Sequence, residues 1–218
     1  VNIKAFQGDE PLEVRSEPVP DDIRWMGGNP KDMPSDEVIT KNIAICVDLS
    51  RSMDGEPIEA ATDSIRNFVR TLADDKTKFS LIGFGDKVKV VAELTNDTDV
   101  IMHSIDDLQV KMLGRGTDAS PLDVARTVIG GQPGVGIIVV LTDGIWGKRE
   151  NAVEQALGCK GANITIIAIG LGEADTSFLR QIATVDDGAL FTTIDKLGDT
   201  FGTIATAISS GNMGLAVR

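Results

Sequence analysis

The sequence predicts an α/β protein: a doubly wound open sheet, mostly parallel with one antiparallel edge strand, and helices on both faces. Three observations carry that expectation. Short apolar runs rich in β-branched residues, such as Asn42-Ile43-Ala44-Ile45-Cys46-Val47 and Ile137-Ile138-Val139-Val140-Leu141, read as strands buried on both faces. Between them lie longer stretches whose apolar residues recur at helical spacing, an alternation that implies parallel strands joined by crossover helices. One stretch breaks the alternation. Phe79 to Phe84 is followed after Gly85-Asp86 by the alternating run Val88, Val90, Ala92 and Leu94, which reads as a hairpin partner at the sheet edge, with Lys87 and Lys89 facing outward.

In chain order, residues 1–40 differ from the rest. Five of the eight prolines fall there, at 11, 18, 20, 30 and 34, leaving room only for short extended pieces around Val1 to Phe6 and Leu12 to Arg15. We read 1–40 as a proline-rich arm or part of a neighbouring domain, 41–210 as the α/β domain and 211–218 as a tail. After the first buried strand, Ile58, Ala61, Ile65, Phe68, Val69 and Leu72 share one helix face, and Pro57 sits just inside that helix's start. Asn96-Asp97 caps a helix carrying Ile101, Ile105 and Leu108, with His103, the sole histidine, off the apolar line. Ser120-Pro121 opens a helix lined by Leu122, Ala125, Val128 and Ile129, and Gly130 to Gly134 stops it.

A helix from about Glu150 to Cys159 carries Val153, Ala156 and Leu157. Then follow a strand, Ile164 to Ile169, a helix near Thr176 to Ala183, a last strand, Ala189 to Thr193, and a closing helix with Leu197, Phe201, Ile204, Ala205 and Ile208 inward.

The composition excludes several function classes. Asp and Glu number 33 against 21 Lys and Arg, for a net charge of -12, which suits neither nucleic acid nor an anionic membrane as partner. The longest apolar runs fall far short of the ~20 residues that span a bilayer. Cys46 and Cys159 show no C-x-x-C spacing and read as small buried thiols. With no visible leader segment, these features lead us to expect a cytoplasmic setting.

The chemistry-bearing residues collect after the strands. Asp48-Leu49-Ser50-Arg51-Ser52 follows the first buried strand and places a carboxylate and two hydroxyls at alternate positions of a strand-to-helix loop. Gly116-Thr117-Asp118 lies in a glycine-rich loop ahead of a helix, and Thr142-Asp143-Gly144 ends the second strongly apolar strand. Hard oxygen donors of this kind suit Mg²⁺ or Mn²⁺, ahead of Ca²⁺. If the first strand pairs with 79–84 on one side and 137–141 on the other, the strand order reverses between Asp48 and Asp143, where ligands of such sheets bind.

Together, D-x-S-x-S, a loop threonine and T-D-G in this order resemble the von Willebrand factor A family and its metal-ion-dependent adhesion site, over roughly Lys41 to Ser210. The resemblance implies that Ser50, Ser52 and Thr117 coordinate a cation through hydroxyls, and that Asp48 and Asp143 hold it directly or through water. It further implies a protein ligand that offers the metal a carboxylate, and no catalysis: an intracellular adaptor or assembly factor, with an extracellular adhesion domain as the alternative. Arg51 stands where small residues are common in the family, and Asp118 is either a hydrogen-bond acceptor for metal-bound water or a helix-start residue. Trp146 either contacts a partner or packs over the sheet end.

Two enzyme or cofactor readings compete. A haloacid-dehalogenase-type phosphatase or phosphotransferase needs a second aspartate two residues after the first, and Ser50 occupies that place. A dinucleotide-binding fold needs G-x-G-x-x-G after the first strand, where D-L-S-R-S stands.

Overall fold

The computed structural model describes residues 40–144, 146–172, 174–184 and 188–210, together with the backbone of 5–7 and 10–12. The chain divides into two units, Val1–Val38 and Ile39–Arg218. In the first, β1 (Ala5–Gln7) and β2 (Glu10–Leu12) pair antiparallel. The rest of the proline-rich stretch and the tail at 211–218 lie outside the described residues.

The second unit is built on six strands: β3 (Lys41–Asp48), β4 (Thr77–Phe84), β5 (Val88–Thr95), β6 (Val135–Thr142), β7 (Ile164–Leu171) and β8 (Ala189–Thr192). Their order across the sheet is β5-β4-β3-β6-β7-β8, parallel throughout except for the β4–β5 hairpin. β3 is therefore central, with β4 on one side and β6 on the other. The order reverses between β3 and β6, as the sequence implied.

Side chains alternate along each strand and so feed two separate cores. Ile43, Ile45 and Val47 of β3 join Ile137, Val139 and Leu141 of β6 on one face. There they meet α1 (Glu56–Leu72), α2 (Thr98–Asp106) and α6 (Leu197–Ser210), and Phe68 meets Phe201 edge to face at 5.3 Å. Ala44, Cys46, Ile138 and Val140 face the opposite core with α3 (Leu122–Ile129), α4 (Arg149–Gly161) and α5 (Thr176–Ile182). Both cysteines are buried there as free thiols, and burial pushes the Cys159 thiol up to about 11.

Aspartate side chains cap two helix starts. Asp97 accepts N–H bonds from Asp99 and Val100 at the start of α2, and Asp175 accepts one from Phe178 at the start of α5. His103 lies exposed on α2, and its Nδ1–H donates to the Asp99 carbonyl at 2.7 Å. One helix face departs from expectation. The buried stripe of α4 is Ala152, Ala156 and Cys159, at steps of four and three, whereas Leu157 is 62% exposed and Val153 is half-buried. Small residues let α4 lie close to the sheet, and the larger side chains flank the contact.

Candidate metal centre

Five residues from three loops converge where the strand order reverses. Asp48 is the last residue of β3 and is fully buried. Its Oδ1 accepts the Ser50 backbone N–H at 2.8 Å, while Oδ2 accepts the hydroxyls of Thr142 at 2.6 Å and Thr117 at 3.3 Å. Ser50 Oγ lies 3.1 Å from Ser52 Oγ, and Ser52 Oγ donates to Asp143 Oδ1 at 2.7 Å. Asp48, Ser50, Ser52, Thr117 and Asp143 are thus joined in one hydrogen-bonded network, with the Ser50 N–H linking Asp48 to the serines, although the sequence separates them by up to 95 positions.

Each loop is fixed for an identifiable reason. Leu49 N–H donates to Phe84 O at 2.7 Å and Lys111 N–H to Leu49 O at 2.7 Å, which pins the start of the Ser50–Ser52 segment under β4 and the 108–119 loop. A single 3-10 turn, Arg51–Met53, then buries Met53 and turns the serines toward Asp48. Arg51 N–H donates to Arg115 O at 3.0 Å, and the Arg51 side chain is exposed. The Thr117 loop is clasped from the β4–β5 turn: Asp86 accepts the N–H groups of Arg115 at 2.9 Å and Gly116 at 3.1 Å. A Cβ at Gly114, where φ is +110°, would stand 2.1 Å from Asp86 Oδ2, and one at Gly116 would stand 2.6 Å from Oδ1. The two glycines are what let the loop close on this carboxylate.

Asp143 is held more lightly. It is half-buried, and Ser52 is its side-chain donor. Past it, Gly147 N–H donates to Thr117 O at 2.9 Å, tying the two later loops together. Asp118 is exposed, and its carboxylate lies over Gly147, where a Cβ would come within 2.1 Å.

Burial is the largest influence on both carboxyls and raises them above their ordinary value. Hydrogen bonds from Thr142, Ser50 and Thr117 pull Asp48 back in part. For Asp143 the Ser52 bond lowers the value and the neighbouring Asp48 charge raises it again. Two carboxylates so placed favour a bound cation, which would relieve both burial and mutual repulsion.

The residues fit a hard divalent ion. The donor set is two carboxylates and three hydroxyls, with no cluster of three or more His, Cys, Asp or Glu side chains among the described residues. A Cβ placed on Gly144 would lie 3.7 Å from Ser52 Oγ, 3.8 Å from Thr117 Oγ1 and 4.0 Å from Asp48 Oδ2, so oxygens from three loops surround one small hollow that glycine leaves clear. Ser50, Ser52 and Thr117 each keep an oxygen lone pair free. Thr142 does not: its hydroxyl donates to Asp48 and accepts from Gly144 N at 3.3 Å and Trp146 Nε1 at 3.2 Å.

Thr142 is therefore a support for Asp48. Its donor Trp146 is buried between Phe84 and Phe178, with ring centroids 5.1 and 5.3 Å away, so it packs over the sheet end and presents no contact surface to a partner. Sequence reasoning did not find the Thr142 role or the Asp86 clasp. The pairing of Asp86 with a later G-x-G was the available signal for the second.

The model of the von Willebrand factor type A domain matches residues 42–206, most of the chain. The chain belongs to this family. Such domains are in general protein-interaction or adhesion modules without enzymatic activity, and they often bind a divalent metal. A comparison with curated protein sequences finds no match.

Solved structures share the fold at low identity. The corresponding domain of the type V pili tip protein Mfa5 from Porphyromonas gingivalis aligns with a TM-score of 0.70 and 15% identity, covering 83% of this chain and 97% of that one. Proximal thread matrix protein 1 from the mussel byssus, with a zinc-occupied metal-ion-dependent adhesion site, aligns at 0.69 and 22%, covering 78% of this chain and 46% of that one. The pilus adhesin SpaC from Lactobacillus rhamnosus GG aligns at 0.68 and 14%, covering 79% and 30% respectively. This chain thus spans under half of the latter two proteins. No described helix is long and apolar enough to cross a membrane.

Proposed function

We propose that the chain is a divalent-cation-dependent protein-binding module in which Asp48, Ser50, Ser52, Thr117 and Asp143 hold Mg²⁺ or Mn²⁺, within a domain spanning about 41–210. The observation that carries the proposal is the oxygen cluster itself: two carboxylates of raised pKa and three hydroxyls with spare lone pairs, gathered at the sheet's reversal point. Bound there, the cation supplies a Lewis-acidic position that an acidic side chain of a partner protein can complete. The chain's own residues orient that position and neutralise little of its charge beyond the two carboxylates. The intracellular setting expected from the sequence finds no support among the solved neighbours, two of which are pilus proteins. An adhesion role outside the cell is therefore the second reading.

Thermal unfolding tests the metal directly, because a ligand that binds only the folded state raises its stability by about 2.7 kcal/mol at a hundredfold excess over Kd. The wild type should gain several degrees in Mg²⁺ or Mn²⁺ over chelator, with Ca²⁺ and Zn²⁺ as comparison ions, and Asp48→Asn should gain none. Equal melting with and without every cation would remove the proposal.

A further inference from the structure

A cavity of about 370 Å³ opens beside the oxygen cluster, between the start of α1, the ends of β6 and β7 and the turn from β8 into α6, and Asp143 belongs to both. We infer that this groove takes the cationic side chain of a partner segment, a Lys or Arg placed within a few residues of the carboxylate offered to the metal. The inference rests on the proposed function for that second contact, and on the groove alone for the first.

The lining is divided in a way that suits such a side chain. Pro57 and Ile194, both half-buried, supply an apolar surface over the buried Leu171, while Glu56, Asp195 and the half-buried Asp143 supply carboxylates. Lys and Arg bury an aliphatic stem on apolar surface and keep a charged end on polar groups. A purely apolar side chain would leave the acids unanswered, and an acidic one would be repelled. Among the described residues neither Glu56 nor Asp195 takes part in an ion pair.

Glu56 opens α1 and is exposed. The Thr193 hydroxyl bonded to Asp195 holds that carboxyl below its ordinary value, so it carries charge at neutral pH, and Lys196 acts on it only as a weaker influence. A second copy of this chain is a poor occupant, because each copy carries a net charge of -12. A partner segment with one acid and one base near each other instead satisfies both parts of the face: its carboxylate on the cation, its cation on Glu56 and Asp195.

Two titrations of the full chain separate the groove from the metal. In chelator, methyl NMR follows Leu171 and Ile194 while n-pentylguanidinium or its neutral counterpart n-pentanol is added. Both methyl groups should shift saturably with the guanidinium at about fivefold lower concentration than with the alcohol, the scale of a partly exposed ion pair. Glu56→Gln with Asp195→Asn should shrink that difference to what Asp143 alone supplies, and since both side chains are exposed the fold should be unchanged. Equal response to the two probes, or a preference undiminished in the double variant, overturns the inference.

In millimolar Mg²⁺, a fluorescent peptide with one Glu and one Lys two residues apart is compared with its norleucine counterpart. Tighter binding of the Lys peptide, lost in the double variant, supports the inference. Metal-dependent binding without a Lys preference overturns it and leaves the metal reading intact. A guanidinium response in chelator with no effect of Mg²⁺ on either peptide does the reverse.

Discussion

Asp48 and Asp143 end neighbouring strands and face the same hollow, yet the two sides of the site are built differently. On the β3 side, Asp48 is fully buried and accepts three hydrogen bonds, and its neighbours are cross-tied by Leu49, Lys111, Arg51 and the Asp86 clasp. On the β6 side, Asp143 is half-buried and answers to Ser52. For a cation of the kind proposed, the first side offers groups fixed before binding, so that little order is lost, and the second a group light enough to adjust. The β3 side therefore belongs to the fold as much as to the site, and the β6 side to the site alone.

Truncating each carboxylate in chelator is the largest test of that division. Asp48→Ala leaves Ser50 N–H and the Thr142 and Thr117 hydroxyls without their acceptor in a closed pocket, and should cost about 3 kcal/mol. Asp143→Ala should cost no more than about 0.5 kcal/mol, as for a lightly held surface group. Denaturant midpoints measure both. Equal losses would break the comparison.

Cation response should reverse the asymmetry. Asp143→Asn keeps an oxygen for Ser52 and removes a charge that Asp48 repels, so its stability in chelator should match or slightly exceed the wild type. Its gain from Mg²⁺, about 2.7 kcal/mol at a hundredfold excess in the wild type, should nevertheless vanish. Isothermal titration with Mg²⁺ provides the check. Retained affinity in this variant would mean that the β6 side is not a ligand at all.

Asp86 sharpens the comparison at a smaller scale. It contacts none of the five oxygens, but it fixes the loop that delivers Thr117. Asp86→Ala should lower stability by about 1 kcal/mol, the net value of a hydrogen bond or two at a partly exposed site, and weaken Mg²⁺ binding without abolishing it. Asp86→Asn, which keeps one acceptor oxygen, should recover part of both. If Mg²⁺ affinity is unchanged in Asp86→Ala, Thr117 is held by its bond to Asp48 instead.

What could be read from the sequence follows the same line. Strand and helix periods and the β4–β5 hairpin were legible because each leaves a pattern within ten to twenty neighbouring residues, and the reversal beside β3 followed from the strand order assumed for such a sheet. Asp48, Ser50, Ser52 and Asp143 stood out because they sit in compact motifs at strand ends, and Thr117 because its glycine-rich loop completes the family pattern. Asp86 was not, since its partners lie about thirty positions away in a loop of no regular period. The inward stripe of α4 also failed to show: Ala152 and Cys159 carry little hydrophobic signal beside Val153 and Leu157, and only contact with the sheet picks out the small side chains.

The last and smallest expected effect is on pH dependence, and it sets the two carboxylates apart from the surface acids. Asp48 and Asp143 have folded values raised above the ordinary 3.8, so between 3.8 and those raised values the folded domain binds more protons than the unfolded chain. In chelator their contribution must therefore turn unfavourable as pH rises through that window. Asp74 and Asp175 have lowered folded values; their stabilisation is present above 3.8 and is lost as pH falls through those lower values. The two groups act on opposite sides of 3.8, so the wild type minus Asp143→Asn isolates the site. That difference should drift against the wild type as pH rises above 3.8 in chelator. It should drift toward the wild type in saturating Mg²⁺, because the ion binds the ionised carboxylates. A flat difference under both conditions would mean that Asp143 is as free of its neighbours as an acid on the surface, and the two sides of the site would then share no charge to balance.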